Sequence, residues 1–124
     1  MKNNKLTLGG AALNSARASV HWLKRSGTKA KILYTGSIGE DSIGNKVFTE
    51  TEKAGVEGFF GRTSKARTAT VVSLTNGKER TLGAYIGAAK LYQKSTLKNQ
   101  LDIVKRAEYL YTTGFFLDSS RETV

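Results

Sequence analysis

The sequence predicts an α/β fold: a partial parallel sheet with flanking helices, plus a small β excursion late in the chain. Three observations carry this. Strand-like and helix-like patterns alternate from Lys5 to Gly55 with loops of ordinary length, the mark of right-handed βαβ units. From Val56 the pattern changes to short β-prone runs, at Val56–Phe60, Thr68–Thr75 and Glu79–Ile86. Inside that stretch Asn76-Gly77 separates two β-prone runs, a hairpin signal because both residues tolerate positive φ.

Lys5 to Leu8 is a short β-prone run that Gly9-Gly10 ends. The first helix is predicted over Ala11–Arg25, where Leu13, Ala16, Val20 and Leu23 form one apolar face and Arg17, His21 and Lys24 the other. Ser26-Gly27 supplies its stop. Ala30–Tyr34 reads as a strand, followed by a glycine-marked loop from Gly36 to Gly44. Asp41 suits the N-cap of the next helix, which carries Ile43, Val47, Thr51 and Ala54 on one side and ends at Gly55.

Val56–Phe60, Thr68–Thr75 and Glu79–Ile86 read as three strands of an antiparallel excursion, a lid or a dimer surface. Ala88–Gln93 reads as a helical turn, and Leu97, Leu101 and Val104 mark a further helix. Glu108–Thr113 returns to strand, with Gly114-Phe115-Phe116-Leu117 at its carboxyl end. Ser119 and Glu122 have capping-box spacing, yet only two residues follow. A helix announced and not built, after a strand without a crossover, reads as a truncated chain.

Composition narrows the function. The 124 residues fit one domain with a real core, and an apolar content of 39% suits a folded chain. No apolar run is long enough for a membrane span, and no signal-peptide core is evident, so an intracellular protein is expected. Cysteine is absent and histidine occurs once, which argues against disulfides and zinc. The net charge of +10 permits nucleic acid, anionic lipid or phosphorylated small molecules as partners. The basic residues are scattered, with their tightest cluster at Arg62, Lys65 and Arg67, and aromatics do not alternate with them. Nucleic acid is the lesser expectation.

Two stretches offer ligand chemistry. Gly9-Gly10 before a helix start lets a ligand approach the main chain, with free N–H groups beyond and the Asn14 amide one turn further in. The alternative is ordinary loop chemistry, which is commoner. In the third β run, Arg80, Leu82, Ala84 and Ile86 recur every second residue and share a side. An apolar strip ending in one arginine fits a planar ring joined to a phosphate or hydroxyl group. A core-facing side with a solvated terminal charge fits the same pattern. The Glu40/Asp41 pair reads as a cap with a solvated neighbour more than as metal ligands. His21 reads as an exposed bystander.

Taken together, the ordered pieces resemble the adenosine kinases within the ribokinase-like (PfkB) carbohydrate and nucleoside kinases. The pieces are Gly9-Gly10-Ala11-Ala12-Leu13-Asn14-Ser15, Gly36-Ser37-Ile38-Gly39-Glu40-Asp41-Ser42-Ile43-Gly44, and Lys53-Ala54-Gly55-Val56. They continue with Thr68-Ala69-Thr70-Val71, Glu79-Arg80-Thr81-Leu82, Gly87-Ala88-Ala89 and Gly114-Phe115-Phe116-Leu117. The resemblance runs from Leu8 to Val124. It implies a central sheet between helices, with a β lid at residues 56–60 and 68–86 that closes on a nucleoside. It implies ATP and Mg2+ as cofactors, adenosine as substrate and AMP as product in purine salvage, and a monomer in the cytoplasm or nucleus.

Carried over position by position, the resemblance puts Gly9, Gly10 and Asn14 at the ribose hydroxyls. Val71, Leu82, Ala84 and Ile86 pack on the nucleoside, Phe115 lies near the base, and Arg80 approaches the transferring phosphate. The family's upstream acidic residue and its downstream Gly-Ala-Gly-Asp, which carries the general base and anion hole, have no match in this sequence. The chain by itself is therefore expected to be inactive. Val71 stands where cysteine is common, and Tyr85 and Lys90 replace usual asparagines. Another sugar or nucleoside kinase of the same family, or a non-catalytic basic binding module, remains the alternative.

Overall fold

A computed structural model describes residues 6–119. Helix α1 (Ala11–Ser26) is followed by strand β1 (Leu33–Gly39), helix α2 (Ser42–Lys53) and strand β2 (Glu57–Thr63). Strands β3 (Thr70–Asn76) and β4 (Glu79–Tyr85) come next, then a 3-10 turn (Gly87–Leu91). Short helices α3 (Lys94–Lys98), α4 (Leu101–Lys105) and α5 (Gly114–Ser119) complete the described chain.

Strands β1 and β2 pair in parallel, from Leu33 opposite Glu57 to Gly39 opposite Thr63, with α2 as the crossover. This is the βαβ unit that the alternation predicts. Helix α1 buries Leu13 and Val20 of its expected apolar face and ends at Gly27, whose φ of 69° gives the left-handed cap only glycine adopts cheaply. Helix α2 turns Thr51 fully inward, where its hydroxyl donates to the Val47 carbonyl at 2.7 Å. Val56, 1% exposed, closes the core between α2 and β2. Tyr92, just after the 3-10 turn, is buried with its hydroxyl 2.9 Å from that of Thr35 on β1.

Several expectations are corrected. Leu6, Thr7 and Leu8 form no strand, and Lys5 lies outside the described residues. Strand β1 begins three residues later than expected and runs through Gly36 to Gly39, which read as loop. Packing explains this. A Cβ on Gly58 would sit 2.7 Å from the Phe60 ring, and one on Gly36 would sit 3.4 Å from the Tyr34 ring. Gly58 is thus a slot for the Phe60 ring, and Gly36 lies beside the Tyr34 ring within β1 rather than in a turn. Tyr34 and Phe60 meet at 5.6 Å between ring centroids.

Strand β2 is a core strand and takes no part in an antiparallel excursion; only β3 and β4 pair antiparallel. The helix expected around Leu97–Val104 is two short helices with a break at Asn99–Gln100, where Gln100 turns its amide onto the Phe59 carbonyl. Residues 108–113 do not form the expected strand. Tyr109 is 91% exposed, and among the described residues no strand pairs with this segment. The Ser119–Glu122 box reaches outside the described residues.

Val56→Ala removes buried methyl groups from the most enclosed aliphatic position, so it should cost about 2 kcal/mol. Urea unfolding monitored by circular dichroism checks this: the midpoint should fall with an unchanged slope.

Candidate functional site

Gly9 and Gly10 lie as expected immediately before a helix. Gly10 is the N-cap of α1 with φ 97°, a conformation that strains any side chain. A Cβ on either glycine would meet nothing within 4 Å, so the backbone faces open space. No side chain caps the helix, which leaves first-turn N–H groups available to a ligand. Asn14 is exposed one turn in, and its amide has no hydrogen-bond partner among the described residues. Its backbone N–H donates to the Gly10 carbonyl at 2.9 Å.

The β3–β4 hairpin brings four of the other candidates into one array. Val71 lies opposite Ala84, Ser73 opposite Leu82 and Thr75 opposite Arg80. Directly paired residues project to the same face, so one side of the ribbon carries Val71, Leu82, Ala84 and Arg80. Arg80 Nε donates to Ser73 Oγ at 3.0 Å, which aims the guanidinium along that face. All four are exposed: the hairpin stands clear of the packed core. Ile86 departs from the expected alternation, because β4 ends at Tyr85 and Ile86 already has helical dihedrals at the start of the 3-10 turn. Ala84 and Ile86 still line one cavity of about 550 Å³ at the hairpin root, with Tyr85, Lys65 and Lys90 around it.

Two adjacent phenylalanines such as Phe115 and Phe116 are usually core, with a stacking platform the sharper alternative, and the structure separates them. Phe116 packs edge-on against Tyr92 at 5.6 Å. Phe115, on the first turn of α5, is 85% exposed. The segment before α5 reaches α1 through Tyr111, whose hydroxyl lies 3.5 Å from Ser15 Oγ. His21 is exposed, as expected.

Asp41 does more than the expected capping. Its Oδ1 accepts from the Gly44 N–H at 2.7 Å, which is the cap. Oδ1 also accepts from Thr68 Oγ1 at 2.7 Å, and Oδ2 accepts from the Thr68 N–H at 2.8 Å. Thr68 Oγ1 in turn accepts from the Gly39 N–H at 3.0 Å. The hydrogen bond from the Thr68 backbone, then that from Gly44, then the Thr68 hydroxyl hold the Asp41 carboxyl below its usual range. Nothing in the sequence spacing links residue 41 to residue 68. The only available cue was a threonine beside a β run.

These bonds occupy both oxygens of Asp41. Among the described residues no group of three or more His, Cys, Asp and Glu side chains could hold a metal ion. No helix among them is long and apolar enough to cross a membrane.

A parallel βαβ core with helices against it and an exposed hairpin between the second strand and the later helices is the ribokinase-like arrangement. The structure overlays that of Anopheles gambiae adenosine kinase in complex with P1,P4-di(adenosine-5) tetraphosphate with a TM-score of 0.82, at 24% identity over 93% of this chain and 34% of the other. Schistosoma mansoni adenosine kinase in complex with adenosine, in an occluded loop conformation, overlays at 0.83, with 22% identity over 99% of this chain and 35% of the other. The model of the pfkB family carbohydrate kinases matches residues 1–124, and the chain belongs to that family. Within it, adenosine kinase from Saccharomyces cerevisiae is 32% identical over 124 residues, covering 100% of this chain. The chain spans 35% of that relative's length.

Two outcomes follow from the Asp41 joint. A Cβ on Gly44 would collide with the Gly39 carbonyl and approach Thr68 Oγ1 to 2.9 Å, so Gly44→Ala should lower the thermal midpoint by more than any surface alanine substitution, measured by calorimetry. Because the folded-state pKa of Asp41 is depressed, its stabilisation is fully present above the unfolded aspartate value and is lost as pH falls through the folded one. Stability measured between pH 7 and pH 2 should therefore drop on the acid side, and Asp41→Asn should make that limb shallower.

Proposed function

We propose that this chain forms the nucleoside-binding and lid portion of an ATP-dependent adenosine kinase, which phosphorylates the adenosine 5′-hydroxyl to give AMP in purine salvage. The observation that carries the reading is the hairpin face: an apolar strip of Val71, Leu82 and Ala84 ending in Arg80, in register across two strands. That strip matches a flat base and ribose in size, with a cation where phosphate would lie. The 32% identity to an adenosine kinase along the whole chain supports the same substrate.

In this reading Gly9 and Gly10 let the ribose approach the backbone at the start of α1, and Asn14 exchanges hydrogen bonds with its hydroxyls. Val71, Leu82, Ala84 and Ile86 cover the nucleoside when the hairpin closes, and Phe115 stacks near the base. Closure excludes the water that would compete with the 5′-hydroxyl as acceptor. Arg80 remains charged throughout and grips phosphate oxygens in two places, offsetting charge on the transferring group. ATP, when bound, supplies that group. The chain holds no Gly-Ala-Gly-Asp, so it has no general base of that kind and turns nothing over unaided. The complete enzyme works as a monomer in the cytoplasm or nucleus.

Binding of labelled adenosine to the purified chain, followed by equilibrium dialysis, tests this. Adenosine should bind, ribose, fructose and guanosine should not compete, and no AMP should form with ATP and magnesium. Leu82→Asp should weaken adenosine binding about tenfold or more, since it replaces an apolar contact with a charge. Arg80→Ala should weaken AMP more than adenosine. Binding of ribose, fructose or guanosine with adenosine ignored would move the substrate elsewhere in the family. Salt-steep RNA binding without adenosine binding would make the chain a polyanion-binding module.

A further inference from the structure

We infer that Asp41 is the pivot of the hairpin: a positioning residue that, acting through Thr68, sets how β3 and β4 leave the β1–α2 junction. The inference deepens the nucleoside-kinase reading and rests on it for the identity of the ligand.

The Gly39–Gly44 segment is tightly held by side-chain hydrogen bonds and by close backbone approach. Capping α2 requires one bond, from the Gly44 N–H to Asp41 Oδ1. The same carboxylate takes two more from Thr68, and the Thr68 hydroxyl passes the connection on to the Gly39 N–H. One side chain thus joins the end of β1, the first turn of α2 and the stem of the hairpin. Glycine is required on both sides of the joint. A Cβ on Gly39 would lie 2.7 Å from the Ala66 carbonyl oxygen and 2.8 Å from the Thr68 nitrogen, and one on Gly44 would strike the Gly39 carbonyl.

The second leg of the hairpin is tied beside the first. The Ala88 N–H donates to the Arg67 carbonyl at 2.8 Å, one residue from Thr68. Thr68 and Ala88 are both buried, whereas every residue from 71 to 86 is exposed. Burial therefore stops at one pair of anchors, and the ribbon beyond them turns as a unit. Gly87, with φ 46°, and Ala69 are the links between anchor and ribbon. Val71 is three residues past Thr68 and Ile86 two before Ala88, so a change at the anchors moves the substrate-facing strip directly.

The chemistry requires a carboxylate. Asp41 meets an N–H at each oxygen and a hydroxyl besides, and an ionised carboxylate accepts at every position. An asparagine keeps the α2 cap through its carbonyl oxygen but presents an NH2 group to the Thr68 N–H. Asp41→Asn thus separates the pivot from the cap. Thr68→Val removes the relay hydroxyl at constant shape, and Thr68→Ser keeps it.

Hydrogen exchange by mass spectrometry on the full chain, with and without adenosine, tests the pivot in all three variants. Asp41→Asn and Thr68→Val should speed exchange selectively over residues 67–88 and raise the adenosine dissociation constant about tenfold, the effect of losing one charge-assisted hydrogen bond. Exchange across Leu13–Val20 should stay unchanged, and Thr68→Ser should restore both readouts. Unchanged hairpin exchange in the two disruptive variants would overturn the inference. So would a rise spread evenly over α1 and the hairpin, which would make Asp41 a cap and nothing more. If the wild-type chain ignores adenosine while the selective exchange contrast appears, the nucleoside reading fails and the pivot stands.

Discussion

The carboxylate of Asp41 is the interaction on which the rest of this structure depends. It holds the carboxyl end of β1, the amino end of α2 and the base of the β3–β4 hairpin around two oxygens. Its geometry dictates the glycines on either side, because neither Gly39 nor Gly44 has space for a Cβ. A charge-assisted cluster of this kind is stronger than neutral hydrogen bonds and tolerates little displacement. The parallel sheet ends where the cluster begins, and the exposed ribbon starts where it stops.

That division explains why one small chain contains both tightly packed and open regions. Between α1, the two parallel strands and α2, side chains such as Val56 and Thr51 are fully enclosed. The hairpin buries almost nothing of its own, and a two-stranded ribbon in water is marginal without a surface to lie on. Its persistence as a defined element follows from the anchors at Thr68 and Ala88 and from the ladder between Val71–Asn76 and Glu79–Ala84. A ribbon fixed at one end with an apolar strip on its face suits a ligand that arrives and is then covered. The α1 start has a different character: an open glycine backbone, no side-chain cap among the described residues and an exposed Asn14 amide.

Much of this was legible from residues in order. The i, i+3, i+4 spacing of Leu13, Ala16 and Val20 defined α1 and its buried face, and Asp41 before Ile43 and Val47 defined the start of α2. Asn76-Gly77 located the hairpin, although the turn itself is Gly77-Lys78. The family was legible too, because the glycine motifs and the Glu79–Leu82 run lie in the right order along the chain. The errors have one physical source. Gly36 looks like a loop residue in sequence, yet it lies inside β1 in contact with the Tyr34 ring, a neighbour that pattern alone does not show. Residues 108–113 have strand propensity, but a strand exists only where another strand accepts its hydrogen bonds.

Local chemistry alone determined α1 and α2, their stops, the hairpin and the set of candidate ligand residues, since each depends on neighbours within a few positions. Tertiary structure decided which strand joined the parallel sheet, which phenylalanine packs and which lies open, and that Asp41 reaches Thr68. Those outcomes depend on groups well apart in sequence, such as Ile38 with Arg62 and, at a separation of 27 residues, Asp41 with Thr68, and no periodicity encodes such meetings. They come from closing the βαβ unit, which carries β2 back beside β1 and leaves the hairpin stem against the Asp41 carboxylate.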